Sequence, residues 1–107
     1  MQQGAVVESS VYIASLSIDF VGMRVSVDDC EVHLTPIEFR IIELLSRHRG
    51  KVLIHDMILK NVLGPHFTDT QTLRVNMANI RRKIESNPAE PQYIRTEIGV
   101  GYRMVED

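Results

Sequence analysis

The sequence predicts an α+β domain in which a small N-terminal antiparallel sheet precedes three helices and a C-terminal β-hairpin. Three observations carry this prediction. Short runs of β-branched and aromatic residues alternate with turn formers over residues 11–34. Helical periodicity then takes over from Thr35 to Ile84, bounded by caps and breakers. A glycine-tipped pair of strand-like runs closes the chain over residues 93–105. With 107 residues, the chain holds one compact core and not two. The expected division is a flexible segment or linker remnant at 1–10 and one domain over 11–107.

The first element group is Val11–Ala14, Leu16–Phe20, Met23–Val27 and Glu31–Leu34, separated by Gly22 and Asp28-Asp29. Ile18, Phe20, Val25, Val27, Val32 and Leu34 fall at alternate positions, as one buried sheet face requires. The first helix has the clearest start. Thr35 caps, Pro36 takes the first helical position where its missing N–H costs nothing, and Glu38 completes a capping box. Ile37, Ile41, Leu44 and Leu45 follow at helical spacing, widened by Ile42, and Gly50 ends the run.

A second helix spans about His55–Leu63, buries Ile58 and Val62, and stops at Gly64-Pro65. Ile54 stands at its cap position without a side-chain acceptor, a deficit of about 1 kcal/mol that predicts a frayed start. Asp56 in the first turn offsets part of it through the helix dipole. The third helix runs from about Thr70 to Glu85 or Ser86, capped by Asp69 or Thr70. Leu73, Met77, Ile80 and Ile84 form its core-facing seam. Asn87-Pro88 and Pro91 break it. Tyr93–Glu97, a Gly99-Val100-Gly101 tip and Tyr102–Val105 then read as a hairpin.

Charge is unevenly divided. The formal net charge of −2 argues at face value against a nucleic-acid partner. Residues 1–50 hold four basic and seven acidic side chains, and residues 51–107 hold eight and seven. Within Gln71–Ile84 lie Arg74, Arg81, Arg82 and Lys83 and no acid. Local field, not net charge, governs how a phosphate backbone is met. No apolar run approaches the ~20 residues that span a bilayer, and the opening residues lack a signal peptide's basic and apolar regions. The single Cys30 forms no internal disulfide and there is no glycosylation sequon, which favours the cytoplasm.

At 100° per residue, Thr72, Val75, Asn76 and Asn79 cluster away from the third helix's apolar seam. Arg74 and Arg81 lie on one flank, while Arg82 and Lys83 extend the polar side. Asn pairs bidentately with adenine, and Val or Thr touches a thymine methyl. Arginines around them would hold phosphates and fix register. A solvated helix face is the alternative, and periodicity alone does not decide against it. The hairpin that follows carries Arg95 and Arg103 with Tyr102 beside them, and its glycines allow a tight, narrow tip suited to a minor groove. Tyr102 equally suits packing. Helix, helix, basic helix and hairpin in that order make a winged helix-turn-helix.

Leu34-Thr35-Pro36-Ile37-Glu38-Phe39, Gly50-Lys51-Val52-Leu53, Leu73-Arg74-Val75-Asn76-Met77 through Ile80-Arg81-Arg82-Lys83-Ile84, and Ile98-Gly99-Val100-Gly101-Tyr102-Arg103 together carry a resemblance. The chain resembles the DNA-binding effector domain of OmpR/PhoB-family two-component response regulators over nearly its whole length. Pro91–Met104 is most similar to the family's regulators of potassium-transport operons. The resemblance implies a four-stranded sheet, three helices and a wing. It implies that Thr72, Val75, Asn76 and Asn79 face the major groove, with Arg74, Arg81 and Arg82 on bases or phosphates; Lys83, on the same polar side, is read as a further phosphate contact. Thr96, Gly99 and Tyr102 match wing and phosphate-contact positions, in a wing that also carries Arg95 and Arg103. The loop Gly64, Pro65, His66, Phe67, Thr68 and Asp69 matches the segment that touches RNA polymerase.

The same resemblance implies tandem half-sites bound as a head-to-tail dimer. It also implies a receiver domain answering to a sensor kinase, so the chain is expected to be a fragment of a longer regulator. Two departures stand out. Leu63 replaces a frequent Trp, which suggests different packing of the following loop. Ile98 replaces a residue that is basic in many members, leaving minor-groove insertion to Arg95 or Arg103. No enzyme is expected: Cys30, His33, His48, His55 and His66 never reach metal-ligand spacing. Glu38 and Glu43 have no partner for acid–base work. Gly99-x-Gly101 does not open a helix, so it is no nucleotide-binding turn. Neither metal nor cofactor is expected. The rival reading is a winged helix that binds protein.

Overall fold

The computed structural model describes residues 8–106. Four strands, β1 (Ser10–Ile13), β2 (Leu16–Asp19), β3 (Arg24–Val27) and β4 (Cys30–Val32), form an antiparallel meander in that order. Strand β1 begins one residue ahead of the expected domain boundary. Of the segment expected to be flexible, residues 1–7 lie outside the described residues. Glu8 is placed by its ion pair to Arg49 (2.8 Å), and the Ser9 carbonyl accepts from the Phe20 amide. The Arg49 hydrogen bond holds the Glu8 carboxyl below the usual carboxylate range. Register pairs Val11 with Ile18 and Ile18 with Val25, so the buried sheet face is continuous across three strands. The turns between strands use left-handed residues, Ala14, Met23, Asp28 and Asp29.

Helix α1 (Pro36–Arg47) starts on the expected capping box. The Thr35 hydroxyl accepts from the Glu38 amide and the Glu38 carboxylate accepts from the Thr35 amide. The helix ends at His48, ahead of Gly50. It buries Phe39, Ile41, Ile42 and Leu45, while Ile37 and Leu44 lie only half-buried at the stripe's edge. Helix α2 (His55–Leu63) buries Ile58, Leu59 and Val62. Helix α3 (Thr70–Ile84) is capped by Asp69 and buries the expected Leu73, Met77, Ile80 and Ile84.

Between α1 and α2 lies a two-residue strand that the sequence did not announce, β5 (Leu53–Ile54). It pairs with the second strand of the wing, and the wing is therefore three-stranded in the order β5, β7 (Gly101–Met104), β6 (Ile94–Glu97). This corrects the expected fraying of α2. Ile54 offers no side-chain cap, but its backbone is held by the ladder to Gly101.

Helix α3 ends at Glu85, a buried residue whose carboxylate takes the place of a strand partner. It accepts from the backbone amides of Gln92, Tyr93 and Ile94 at 2.7–3.1 Å. Buried amides left unpaired cost ~1–3 kcal/mol each. Glu85→Ala is therefore expected to lower the unfolding free energy by about 3 kcal/mol, read from the urea midpoint at unchanged slope.

Candidate nucleic-acid interface

With its apolar seam buried, α3 presents the opposite side to solvent. Gln71, Arg74, Val75, Ala78 and Arg82 are exposed along it, and Thr72, Asn76 and Asn79 are half-buried at its edge. Helical spacing makes this one row, with Val75 and Arg82 opposite Leu73. The four residues read as base-facing thus divide. Val75 lies in the centre, and the polar three lie on one flank. Gln71 and Ala78, which the sequence reading passed over, share the centre. Their positions on the wheel were the available signal.

The flanking side chains are already oriented. The Asn76 amide donates to the Thr72 carbonyl (2.9 Å), leaving its carbonyl oxygen free to accept. The Thr72 hydroxyl donates to Asp69 (3.2 Å), which also caps the helix. Arg82 donates to the Asn79 carbonyl oxygen, which directs the Asn79 NH2 group outward as a donor. Fixing these amides before contact reduces the rotamer entropy that a base contact must overcome.

The cations expected to act together have different surroundings. Arg74 and Arg82 are exposed without a carboxylate partner among the described residues. Lys83 instead pairs with buried Glu38 at the start of α1 (2.7 Å). Arg81 departs furthest from expectation. One of its terminal nitrogens donates to the Ile94 carbonyl and to the Thr96 hydroxyl, both at 2.8 Å. Its guanidinium lies 5.5 Å from the Tyr102 ring centroid, and its Nε is buried without a partner. Burial lowers its pKa from the usual guanidinium value. Arg81 ties α3 to the wing instead of standing free for a phosphate.

In the wing, Ile94, Tyr102 and Met104 face the core. Of the two readings open for Tyr102, burial supports packing: its ring stacks edge-on against His55 at 5.4 Å. The other face carries Arg95 directly across from Arg103, and Arg103 pairs with Glu97 (3.1 Å). Thr96 is engaged by Arg81, and Gly99 turns the tip at φ +76°. Gly64 closes α2 by donating to the Lys60 carbonyl, and the Pro65–Asp69 loop beyond it is exposed. Among the described residues no cluster of His, Cys, Asp or Glu could hold a metal ion.

These features define a winged helix whose third helix and wing share an acid-poor outer face. The model of the family "Transcriptional regulatory protein, C terminal" matches residues 29–104. The chain belongs to that family and is a response-regulator DNA-binding domain of the OmpR/PhoB type. It is 46% identical over 90 residues to the transcriptional regulatory protein KdpE of Mycobacterium tuberculosis, covering 83% of this chain and 40% of that protein. It is 38% identical over 96 residues to the KDP operon regulator KdpE of Escherichia coli, covering 89% of this chain and 43% of that one. The chain thus spans about two-fifths of the length of these curated relatives. The crystal structure of the Klebsiella pneumoniae RstA DNA-binding domain in complex with the RstA box matches at TM-score 0.84 and 27% identity, over 94% of this chain and 100% of that one. The Thermotoga maritima response regulator DrrB, an OmpR/PhoB homologue, matches at TM-score 0.86 and 28% identity, over 92% of this chain and 45% of that one.

The occupancy of Arg81 yields a discriminating prediction. Arg81→Ala is expected to lower the stability of the chain by about 1–2 kcal/mol, from two lost charge-assisted hydrogen bonds. The dependence of duplex affinity on salt is expected to stay as in the unsubstituted chain. A shallower salt dependence would return Arg81 to the phosphate contacts.

Proposed function

We propose that the domain binds double-stranded DNA sequence-specifically and controls transcription, with α3 in the major groove and the wing near the minor groove. The observation that carries this is the outward row on α3, acid-free and flanked by preset amides. Thr72, Val75, Asn76 and Asn79 read bases in this proposal, joined by Gln71 and Ala78 on the same row. Arg74 and Arg82 meet phosphates, and Lys83 does so only in competition with Glu38. On the wing, Arg95, without a carboxylate partner among the described residues, faces a phosphate in this proposal. Thr96, Gly99, Tyr102 and Arg103 shape and hold it. The segment Gly64, Pro65, His66, Phe67, Thr68 and Asp69, exposed from Pro65 onward, is the proposed contact to RNA polymerase.

The likeness to KdpE proteins supports regulation of a potassium-transport operon, and we place the protein in the cytoplasm. In the whole regulator we place a receiver domain answering to a sensor kinase, with head-to-tail dimers on tandem half-sites. The rival, a winged helix that binds only protein, leaves the α3 row without a nucleic-acid role.

Selection of bound duplexes from a random pool is expected to return a defined half-site. On that duplex the affinity should fall with salt along a log–log slope of about −3 per domain, for Arg74, Arg82 and Arg95. Asn79→Ala is expected to relax preference at one position by about 1–3 kcal/mol, measured against single-base variants of the site. Weak binding indifferent to both salt and sequence would instead establish the protein-binding rival.

A further inference from the structure

The wing tip is chemically unlike the rest of the proposed interface. Ile98 is 91% exposed, the most exposed large hydrophobic side chain among the described residues, and Val100 close by is 48% exposed. Gly99 between them turns at φ +76° with open space around it, so the tip stands clear of the domain. No charge accompanies it. Glu97 neutralises Arg103, and Arg95 sits further down the ribbon.

We infer that the wing enters the minor groove with Ile98 leading as an apolar wedge, reading the deformability of a base step instead of the groove's charge. The inference rests on the DNA-binding reading of the domain and goes beyond it. Arg95 lies directly opposite Arg103 on the outer wing face. Like charges facing each other across a ladder repel, and Glu97 relieves only one of them. An anion against Arg95 relieves the other, which places a phosphate at that level of the ribbon.

Distance then assigns the tip. Three residues of extended chain from Arg95 to Ile98 span ~10 Å. The minor groove is ~7.5 Å deep and ~6 Å wide. With Arg95 at a phosphate on the rim, Ile98 arrives at the floor. Two strands ~4.8 Å apart with their side chains are too broad for that groove, whereas a tip turning on a glycine is narrow enough.

A basic side chain at the floor would be drawn to the strong negative potential of a narrow A-tract. Isoleucine carries no charge to exploit it, and β-branching keeps its side chain stiff. Apolar side chains at this depth act by parting a base step and kinking the duplex, and pyrimidine–purine steps part most readily.

The test uses the 107-residue chain on selected duplexes that differ only in the dinucleotide step beneath the wing. Binding is measured across a salt series, and bending by end-to-end energy transfer. The unsubstituted chain is expected to favour TA or CA/TG there by about tenfold and to bend that duplex. Ile98→Ala should lose the step preference and the bend while keeping the salt slope. Ile98→Arg should steepen the slope by about one unit and move preference toward A-tracts. Ile98 touches nothing that the fold depends on, so both variants report on contact. Equal binding to all steps, or a preference that survives Ile98→Ala, overturns the wedge while leaving the DNA-binding reading intact. Duplex binding unaffected by Ile98→Ala, with loss of self-association, gives the tip to a second copy and also overturns it. Absence of salt-dependent duplex binding by the unsubstituted chain removes the underlying reading itself.

Discussion

The closeness of β5 to β7 is the constraint on which the arrangement of this domain depends. A side chain at Gly101 would overlap the Leu53 carbonyl and crowd the Ile54 backbone. Only glycine lets the two strands pair at this register. The pairing joins the wing to the α1–α2 connection, and the Gly50 amide extends it by donating to the Met104 carbonyl (2.7 Å). Strand β7 is consequently the middle strand of a sheet anchored in the helical core. A two-stranded hairpin alone is marginally stable in water; this one has a third strand and a buried face. Wing position is therefore fixed relative to the helices before any ligand arrives.

Helix α3 is held from three directions by polar contacts that converge on its last two turns. Lys83 reaches across to Glu38, Arg81 reaches to Ile94 and Thr96, and Glu85 receives the amides that open β6. Two of these contacts involve carboxylates that are almost wholly buried. A buried charge is tolerated only with partners, so each carboxylate ties its neighbours to one geometry. Glu38 links the cap of α1 to α3, and Glu85 links α3 to the wing. The outer face of α3 stays free because the binding together of elements is done on its flanks.

Much of this was legible in the residues. The capping box at Thr35-Pro36-x-Glu38, the seam Leu73, Met77, Ile80 and Ile84, and the breakers at Gly64-Pro65 each act locally, and the structure follows them closely. Strand β5 escaped because two residues carry no periodicity. Its existence depends on Gly101, almost fifty positions away. The roles of Arg81, Lys83 and Glu85 escaped for the same reason. A basic helix face shows where cations lie, but their partners come from α1, β6 and the 86–92 turn. On the candidate site, the wheel centred the outward side of α3 slightly toward Asn76, whereas the exposed residues centre on Val75 and Arg82. Gln71 and Ala78 stand opposite the buried seam of Leu73, Met77, Ile80 and Ile84, and so belong to the centre. Tyr102 was undecidable from sequence, since an aromatic in a wing packs or protrudes according to what lies beneath it.

The internal pairing of Arg81, Lys83 and Arg103 has a kinetic consequence. A domain that keeps these three cations engaged with its own atoms offers few charges to an arbitrary stretch of duplex. Nonspecific DNA would retain it only briefly, and one-dimensional travel along the helix would be short. Search for a site by such a domain proceeds mainly by repeated detachment and recapture from solution. Prolonged residence must come from the hydrogen bonds and shape fit that only the correct sequence supplies.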